Sequence, residues 1–391
     1  MNLPQAFPLR RALAAALGSL ALLVACGGGV SEQGTGTQPV YASGPISGFG
    51  SVIVNGVRYD DTGVTAKDDS GANVDLLLGM VVQIDGEKLD RSTTPLPTAT
   101  AKAITVVSEL LGRVDARDDV AGTLTILGQT VSILPTPATD RAVAVGDLVE
   151  VYGLYDVSNQ RYTATRIQHR SGVSALRLHG KVGSVGSNSF TVGGATIRFT
   201  TAPDGLAVGA VMRLKLATSP VAANTWTLLS AQASTAKVPA DDTEVEVEGV
   251  ISSYTSLSSL VVQGITVDAS GAALSGGTTL AAGVTIEAEG KMQGGVLRAT
   301  KVEIKKAEDG GGGGGGTEPV EVEITSAIAS VNAASKTLVL NKGSQKVDYS
   351  AATFRGGLTA AQLVAGLRIE VKGVLSSDGT TVLASEIKAD N

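Results

Sequence analysis

Few residues in this chain have side chains suited to catalysis or metal binding. Its 391 residues include two histidines, His169 and His179, and one cysteine, Cys26. A zinc site takes three or four closely placed ligands, and these two histidines lack even the i, i+2 spacing of a ligand pair on one strand. No Gly-x-Ser-x-Gly nucleophile elbow is present. The sequence therefore predicts no enzyme activity, no metal and no cofactor, with both histidines at solvent-facing strand positions.

One cluster of aromatic and basic residues is a candidate ligand-binding site. Tyr152, Tyr155 and Tyr162 lie close together in the chain, with Arg161 and Arg166 beside them. Tyrosine rings can stack on sugar rings or bases without any net charge on the protein. The alternative is that these tyrosines occupy strand surfaces because aromatic residues favour strands.

Two acidic segments point to hydrated surface. The segment 68–75 concentrates oxygen ligands of the kind calcium prefers, but it lacks the spacing and closing glutamate of an EF-hand. A solvated hairpin tip is expected there. Glu244, Glu246 and Glu248 alternate with valines, a pattern that predicts one wet and one buried strand face.

The sequence around Cys26 predicts how this cysteine is modified. Arg10 and Arg11 precede an apolar run over residues 12–25, and glycines follow the cysteine. A positive start, a short apolar core and a small residue at the cut are typical of a secretory signal. The segment resembles the lipobox of bacterial lipoproteins, which implies cleavage before Cys26, acylation of its thiol and amine, and a membrane tether. The residue after Cys26 is Gly27 in place of aspartate, and in this the sequence resembles lipoproteins that are sent to the outer membrane.

Charge and composition indicate which classes of partner and which fold class to expect. Without residues 1–26 the chain has 29 basic and 37 acidic residues, so nucleic acid and anionic surfaces are not expected to bind it. Aromatic residues make up only 3% of the chain, while small and β-branched residues are abundant. This composition predicts an all-β protein rich in turns.

An internal repeat organises the mature chain. Each copy has a strand bounded by two glycines with six residues between them, and apolar residues alternate inside it. The third copy is degenerate, with Leu216 in place of the last glycine. We call this element the Gly strand. Its copies are residues 79–86, 146–153, 209–216, 283–290 and 366–373.

Each Gly strand is accompanied by further strands. An opening strand and a hairpin with a polar or glycine tip precede it, and a closing strand, usually containing Ala-x-x-Ile or Ala-x-x-Val, follows it. This is the order of a five-stranded OB-type barrel, and a small open sandwich is the alternative. The predicted segments are a signal peptide (1–25), a lipidated flexible tether (26–43), module 1 (44–107), module 2 (108–172), module 3 (175–235), module 4 (244–306), a glycine-rich linker (307–319) and module 5 (320–389).

The lipobox, the Gly strands and the Ala-x-x-Ile strands resemble bacterial lipoproteins with DUF5666 domains. That family has no known function, so the resemblance implies architecture and location without catalytic residues. We therefore expect a lipid-anchored, non-enzymatic protein of the cell envelope, at the outer membrane, that acts as a structural or adaptor scaffold. Binding of glycan or peptidoglycan through the tyrosines of module 2 is the alternative.

Overall fold

The computed structural model of the chain describes residues 38–93, 96–133, 143–234, 236–305, 321–376 and 380–390. The predicted signal peptide, Cys26 and the linker 307–319 lie outside these residues. Within them the chain is β-strand and loop, with two single 3-10 turns at Lys342–Ser344 and Ala360–Gln362. The predicted all-β class is confirmed.

The strands follow one another in five similar groups. Module 1 contains β1 (Pro39–Phe49), β2 (Val52–Val54), β3 (Val57–Asp60), β4 (Lys67–Asp68), β5 (Val81–Asp90) and β6 (Thr98–Val107). Module 2 contains β7 (Leu110–Asp118), β8 (Thr123–Ile126), β9 (Gln129–Ser132), β10 (Leu148–Asp156) and β11 (Arg161–His169). Module 3 contains β12 (Leu176–Val185), β13 (Ser189–Val192), β14 (Ala195–Arg198), β15 (Val211–Leu216) and β16 (Thr225–Ala233).

Modules 4 and 5 have six strands each, as module 1 does, whereas modules 2 and 3 have five. Module 4 contains β17 (Glu244–Ser256), β18 (Ser259–Val262), β19 (Ile265–Asp268), β20 (Ala273–Ser275), β21 (Thr285–Gln293) and β22 (Val296–Ile304). Module 5 contains β23 (Glu321–Asn332), β24 (Thr337–Leu340), β25 (Lys346–Asp348), β26 (Thr353–Arg355), β27 (Arg368–Leu375) and β28 (Thr381–Ala389).

The strand pairing in module 2 closes into a barrel. The opening strand β7 is antiparallel to the hairpin strand β8 and to the Gly strand β10. The hairpin strand β9 runs parallel to the closing strand β11, which is antiparallel to β10. The circuit leaves no free sheet edge, so the barrel is confirmed and the open sandwich is excluded here. The same five pairings connect the corresponding strands of the other groups.

The two glycines of the repeat have different physical roles. The first, as at Gly146, has a φ of 94° and donates its N–H to the opening strand, to Val114 O at 2.8 Å. A side chain disfavours that backbone conformation. The last, as at Gly153, sits beside a β-bulge where an added Cβ would lie 2.1 Å from Thr163 O. Module 3 keeps this bulge but has the buried Leu216 there.

Strand β1 begins earlier than the predicted limit of module 1. Residues 39–43, assigned to the flexible tether from their sequence, belong to this strand, and Val40, Tyr41 and Ala42 are buried. They are ordered because β1 pairs on two sides, antiparallel to β5 and parallel to β17 of module 4. The tether expected over 26–43 is therefore strand from Pro39.

Backbone pairing also joins one barrel to another. Besides its contact with β17, β1 pairs in parallel with β23 of module 5, and β7 of module 2 pairs with β12 of module 3. The apolar cores follow these connections. Modules 1 and 5 share one core and modules 2 and 3 share another, while Tyr41 of module 1 packs into the core of module 4.

Candidate functional site

The tyrosines of module 2 are placed at contacts between modules. Tyr152 and Tyr162 are buried and Tyr155 is half-buried. Tyr152 packs into the core cluster of module 1, whereas Tyr155 and Tyr162 face module 3 with their rings stacked at 4.6 Å between centroids. The three rings therefore do not form one exposed platform on which a sugar could stack.

Tyr155 and Tyr162 hold module 3 against module 2. The Tyr162 hydroxyl donates a short hydrogen bond to His179 O, and the Tyr155 hydroxyl accepts one from the Lys181 N–H at 3.0 Å. Burial raises the pKa of Tyr155 to about 12, so its hydroxyl stays protonated at physiological pH. These hydroxyls satisfy main-chain groups at the contact, as buried tyrosines usually do.

The two arginines of the predicted site are also separated. Arg166 on β11 is buried, and its Nη1 donates to Leu78 O of module 1 at 3.0 Å. The neighbouring Thr165 hydroxyl donates to Gly79 O at 2.6 Å. Arg161 is half-buried at the start of β11, opposite Asp156. Arg166 therefore holds module 2 against the start of the Gly strand of module 1. Local sequence patterns cannot predict this contact, because its two residues are far apart in the chain.

A polar cleft opens where modules 1, 2 and 3 meet. Its volume is about 310 Å³, and most of its lining side chains are charged or hydrogen-bonding. Asp69 comes from module 1, Glu109 from the start of module 2, and Arg177, His179 and Arg213 from β12 and β15 of module 3. The complete lining is Asp69, Ser70, Ser108, Glu109, Arg177, Leu178, His179, Arg213, Leu214, Lys215, Ser230 and Gln232.

His179 is not at the solvent-facing position that its sequence context predicted. Its side chain is 12% exposed, with Nδ1 in a short contact with the Glu109 carboxylate and Nε2 3.0 Å from Ser234 Oγ. Burial favours the neutral form of Glu109, but contact with His179 and Arg213 holds the pKa of this carboxyl below its ordinary value. The prediction failed because module 2 covers this face of module 3. His169, by contrast, is exposed.

The order carboxylate, imidazole, hydroxyl is also that of a serine hydrolase triad. Such a triad needs donors for an oxyanion close to the nucleophile. The Ser234 N–H already donates to Val211 O at 2.8 Å, so it is committed to the sheet. These contacts connect the start of module 2 to β12 of module 3 and to the residue that follows β16.

Two arginines of module 3, Arg177 and Arg213, line the cleft. Arg177 Nη1 lies 3.0 Å from Ser108 Oγ and 3.2 Å from Glu150 Oε1, and Arg213 Nη1 donates to Ser108 O at 3.1 Å. Asp69 of module 1 is 3.8 Å from the first guanidinium and 3.9 Å from the second. Ion pairs thus bridge all three modules at this point.

A second group of ionisable side chains meets at the junction of modules 1 and 4. Arg91 of module 1 reaches Glu246 at 3.2 Å and Glu289 at 2.8 Å, and lies 3.9 Å from Glu244. The Glu246 side chain is only 3% exposed. Burial, only partly offset by Arg91, raises the pKa of this carboxyl to about 8. The prediction that this face of β17 is exposed to water is therefore wrong at Glu246, because module 1 covers this side chain.

No metal site emerges among the residues that the structure describes. They contain no group of three or more His, Cys, Asp or Glu side chains able to hold an ion. In the acidic loop, Asp68 Oδ1 instead accepts from the Ser70 hydroxyl at 2.6 Å and from the Ala72 N–H at 2.9 Å. Partial burial opposes ionisation, yet these bonds hold the pKa of Asp68 below its ordinary value. Among the described segments there is also no helix that is long and apolar enough to span a bilayer.

Sequence patterns did not identify the cleft residues Glu109, Arg177 and Arg213, because the three are distant in the chain and meet only through contacts between modules. One local signal was present. Ser108 and Glu109 form a polar pair between two apolar strands, the end of module 1 and the start of module 2. A buried polar pair at a module boundary is expected to have partners.

The strand pairing and the polar junctions define an all-β protein of closed five-stranded barrels. The DUF5666 family profile, described as a domain of unknown function, matches three regions of the chain, residues 112–168, 248–303 and 325–388. The predicted resemblance to this family is confirmed in these regions. No curated protein matches the chain. Of the solved structures, drosophila Unr CSD456 aligns at 18% identity over 41% of this chain and 79% of that chain, with a TM-score of 0.15, too low to indicate what this chain does.

Proposed function

We propose that this chain is a lipid-anchored, non-enzymatic scaffold of the bacterial envelope, whose barrels present binding surfaces to other envelope components. Cys26 would carry the lipid and hold the protein at the outer membrane. Its partner would be an envelope protein. The predicted signal peptide and lipobox-like sequence support the location, and the connections between barrels support the scaffold role.

The observation that carries the scaffold proposal is the way module 1 contacts the others. It is joined to modules 4 and 5 by strand pairing, to module 2 through Arg166, and to module 3 through Asp69. Such contacts limit movement between barrels, so their outer strands keep fixed relative positions. Pre-organised surfaces bind partners at a lower entropic cost than mobile ones.

Glycan binding through the module 2 tyrosines has less support. Two of the three rings are buried, and the stacked pair is used within the protein. The scaffold proposal does not depend on an aromatic face.

Lipid attachment can be tested by metabolic labelling. The full chain, expressed in a Gram-negative bacterium, should incorporate an alkyne palmitate analogue and fractionate with membranes. Cys26→Ala should abolish both, while Ser31→Ala, a change in the neighbouring polar stretch, should leave both intact. Equal labelling of Cys26→Ala and the unaltered chain would rule out the proposed anchor.

The scaffold role can be tested by cross-linking in living cells. Purification of the intact lipidated chain followed by mass spectrometry should recover an envelope protein in near-equal amount. Recovery of sugar fragments without any protein partner would contradict the scaffold and favour the glycan alternative.

A further inference from the structure

Three cationic side chains are crowded together on one face of module 3. Arg177 on β12 is directly opposite Lys215 on β15, and Arg213 is two residues from Lys215 on the same strand face. Like charges directly opposite each other on neighbouring strands destabilise a sheet. Packing of the barrel does not require this arrangement, because all three side chains lie outside its core.

The three cations differ in how fully they are compensated. Among the residues that the structure describes, Arg177 makes its close contacts, to Ser108, Glu150 and Asp69, through Nη1. Arg213 has carboxylate oxygens of Asp69 and Glu109 only at 3.9 Å. Lys215 is exposed and, within the described residues, has no carboxylate within 4 Å. Donors therefore remain available on the side of the cleft where Lys215 lies.

The neighbouring side chains extend this set of donors. Ser230 pairs with Lys215 across β16, and Gln232 pairs with Arg213. Both are exposed and line the cleft. Charged, amide and hydroxyl donors thus converge from three adjacent strands on a volume of about 310 Å³.

We propose that this cleft binds a phosphate group, with Lys215, Arg177 and Arg213 as its cationic ligands and Ser230 and Gln232 as further donors. A phosphate offers several oxygens in different directions, and arginine pairs with phosphate through more than one N–H. A cleft of this size also has room for a polar substituent on the phosphate.

The acidic groups in the cleft restrict where the phosphate can be. Glu109 contacts His179, and Asp69 lies between the two guanidinium groups on the module 1 side. An anion is repelled from that side and attracted to Lys215. The proposed site is therefore the Lys215, Ser230 and Gln232 end of the cleft. It does not depend on the scaffold proposal.

The test is a calorimetric titration of the purified full chain in non-ionic detergent at constant ionic strength. The probes are inorganic phosphate, glucose 1-phosphate and, as a neutral control, glucose. Lys215→Gln removes one charged donor and should weaken binding of both phosphates roughly tenfold, since a hydrogen bond to a charged group is worth at least that factor. Lys346→Gln, a change at another exposed strand lysine, should bind as the unaltered chain does.

A second arm distinguishes a soluble phosphate ester from a lipid headgroup. Co-sedimentation with phosphatidylglycerol vesicles, compared with phosphatidylcholine vesicles, should depend on Lys215 only if the phosphate belongs to an anionic lipid. Lys215-dependent binding in either arm supports the site and identifies the source of the phosphate. Absence of binding in both arms, or equal binding by Lys215→Gln and Lys346→Gln, overturns the proposal.

Discussion

The carboxyl of Glu246 should make the protein less stable as the pH rises. Its folded pKa is raised to about 8 from an ordinary value of 4.5, because module 1 buries it and Arg91 offsets this only in part. Below pH 4.5 the group is neutral in both the folded and unfolded states. Between these values only the unfolded state loses the proton, so stability falls with rising pH and levels off above about pH 8.

The size of this effect follows from the shift. One pKa unit corresponds to about 1.4 kcal/mol. The free energy of unfolding is therefore lower at pH 7 than at acidic pH by roughly 3 kcal/mol, and above pH 8 it is lower by roughly 5 kcal/mol, as upper estimates. Glu246→Gln keeps the shape of the neutral side chain without a proton to lose. It should match the unaltered protein near pH 4.5 and exceed its stability progressively toward pH 9.

Urea unfolding followed by far-UV circular dichroism from pH 4.5 to 9 would measure this difference. Glu244→Gln is the matched control, because Glu244 lies on the same strand and near the same arginine but its side chain is 26% exposed. That variant should retain the pH slope of the unaltered protein. If Glu246→Gln showed the same slope as its parent, the buried carboxyl could not be the cause.

Two further substitutions test the barrel and its contacts. Gly153→Ala should destabilise the protein by about 3 kcal/mol or more in urea unfolding, since its Cβ would lie 2.1 Å from Thr163 O; Gly271→Ala, at an open position, should change little, and equal effects would contradict the close-approach argument. Tyr162→Phe should cost about 1 kcal/mol by removing the donor to His179 O, and an unchanged urea midpoint would show that this hydrogen bond contributes nothing.

The barrel was predictable because its determinants are local. The first glycine of each repeat adopts a positive φ, as at Gly146, and the last, as at Gly153, allows a close strand approach. Both requirements are visible as glycine spacing. Hairpin signals and alternating apolar residues determined the strand order in the same way.

The junctions could not be predicted for the opposite reason. Glu246 alternates with valines like any solvent-facing strand residue, and it is buried only because module 1 packs against it. His179 and Tyr162 likewise depend on a neighbouring barrel for their surroundings. A period-two pattern identifies the two faces of a strand, but it does not distinguish a face exposed to water from one covered by a distant part of the chain.

The pairing of β1 with β17 has a consequence for biogenesis. Gln38 and Glu244, which hydrogen-bond beside these strands at 3.0 Å, are 206 residues apart in the chain. In a protein exported from its N-terminus, β1 would emerge long before β17. The outer edge of the first barrel would therefore stay unpaired during part of translocation. Contacts of such high order form slowly, and exposed strand edges attract other chains. If the chain is exported as proposed, this edge therefore needs protection from other chains until β17 has emerged.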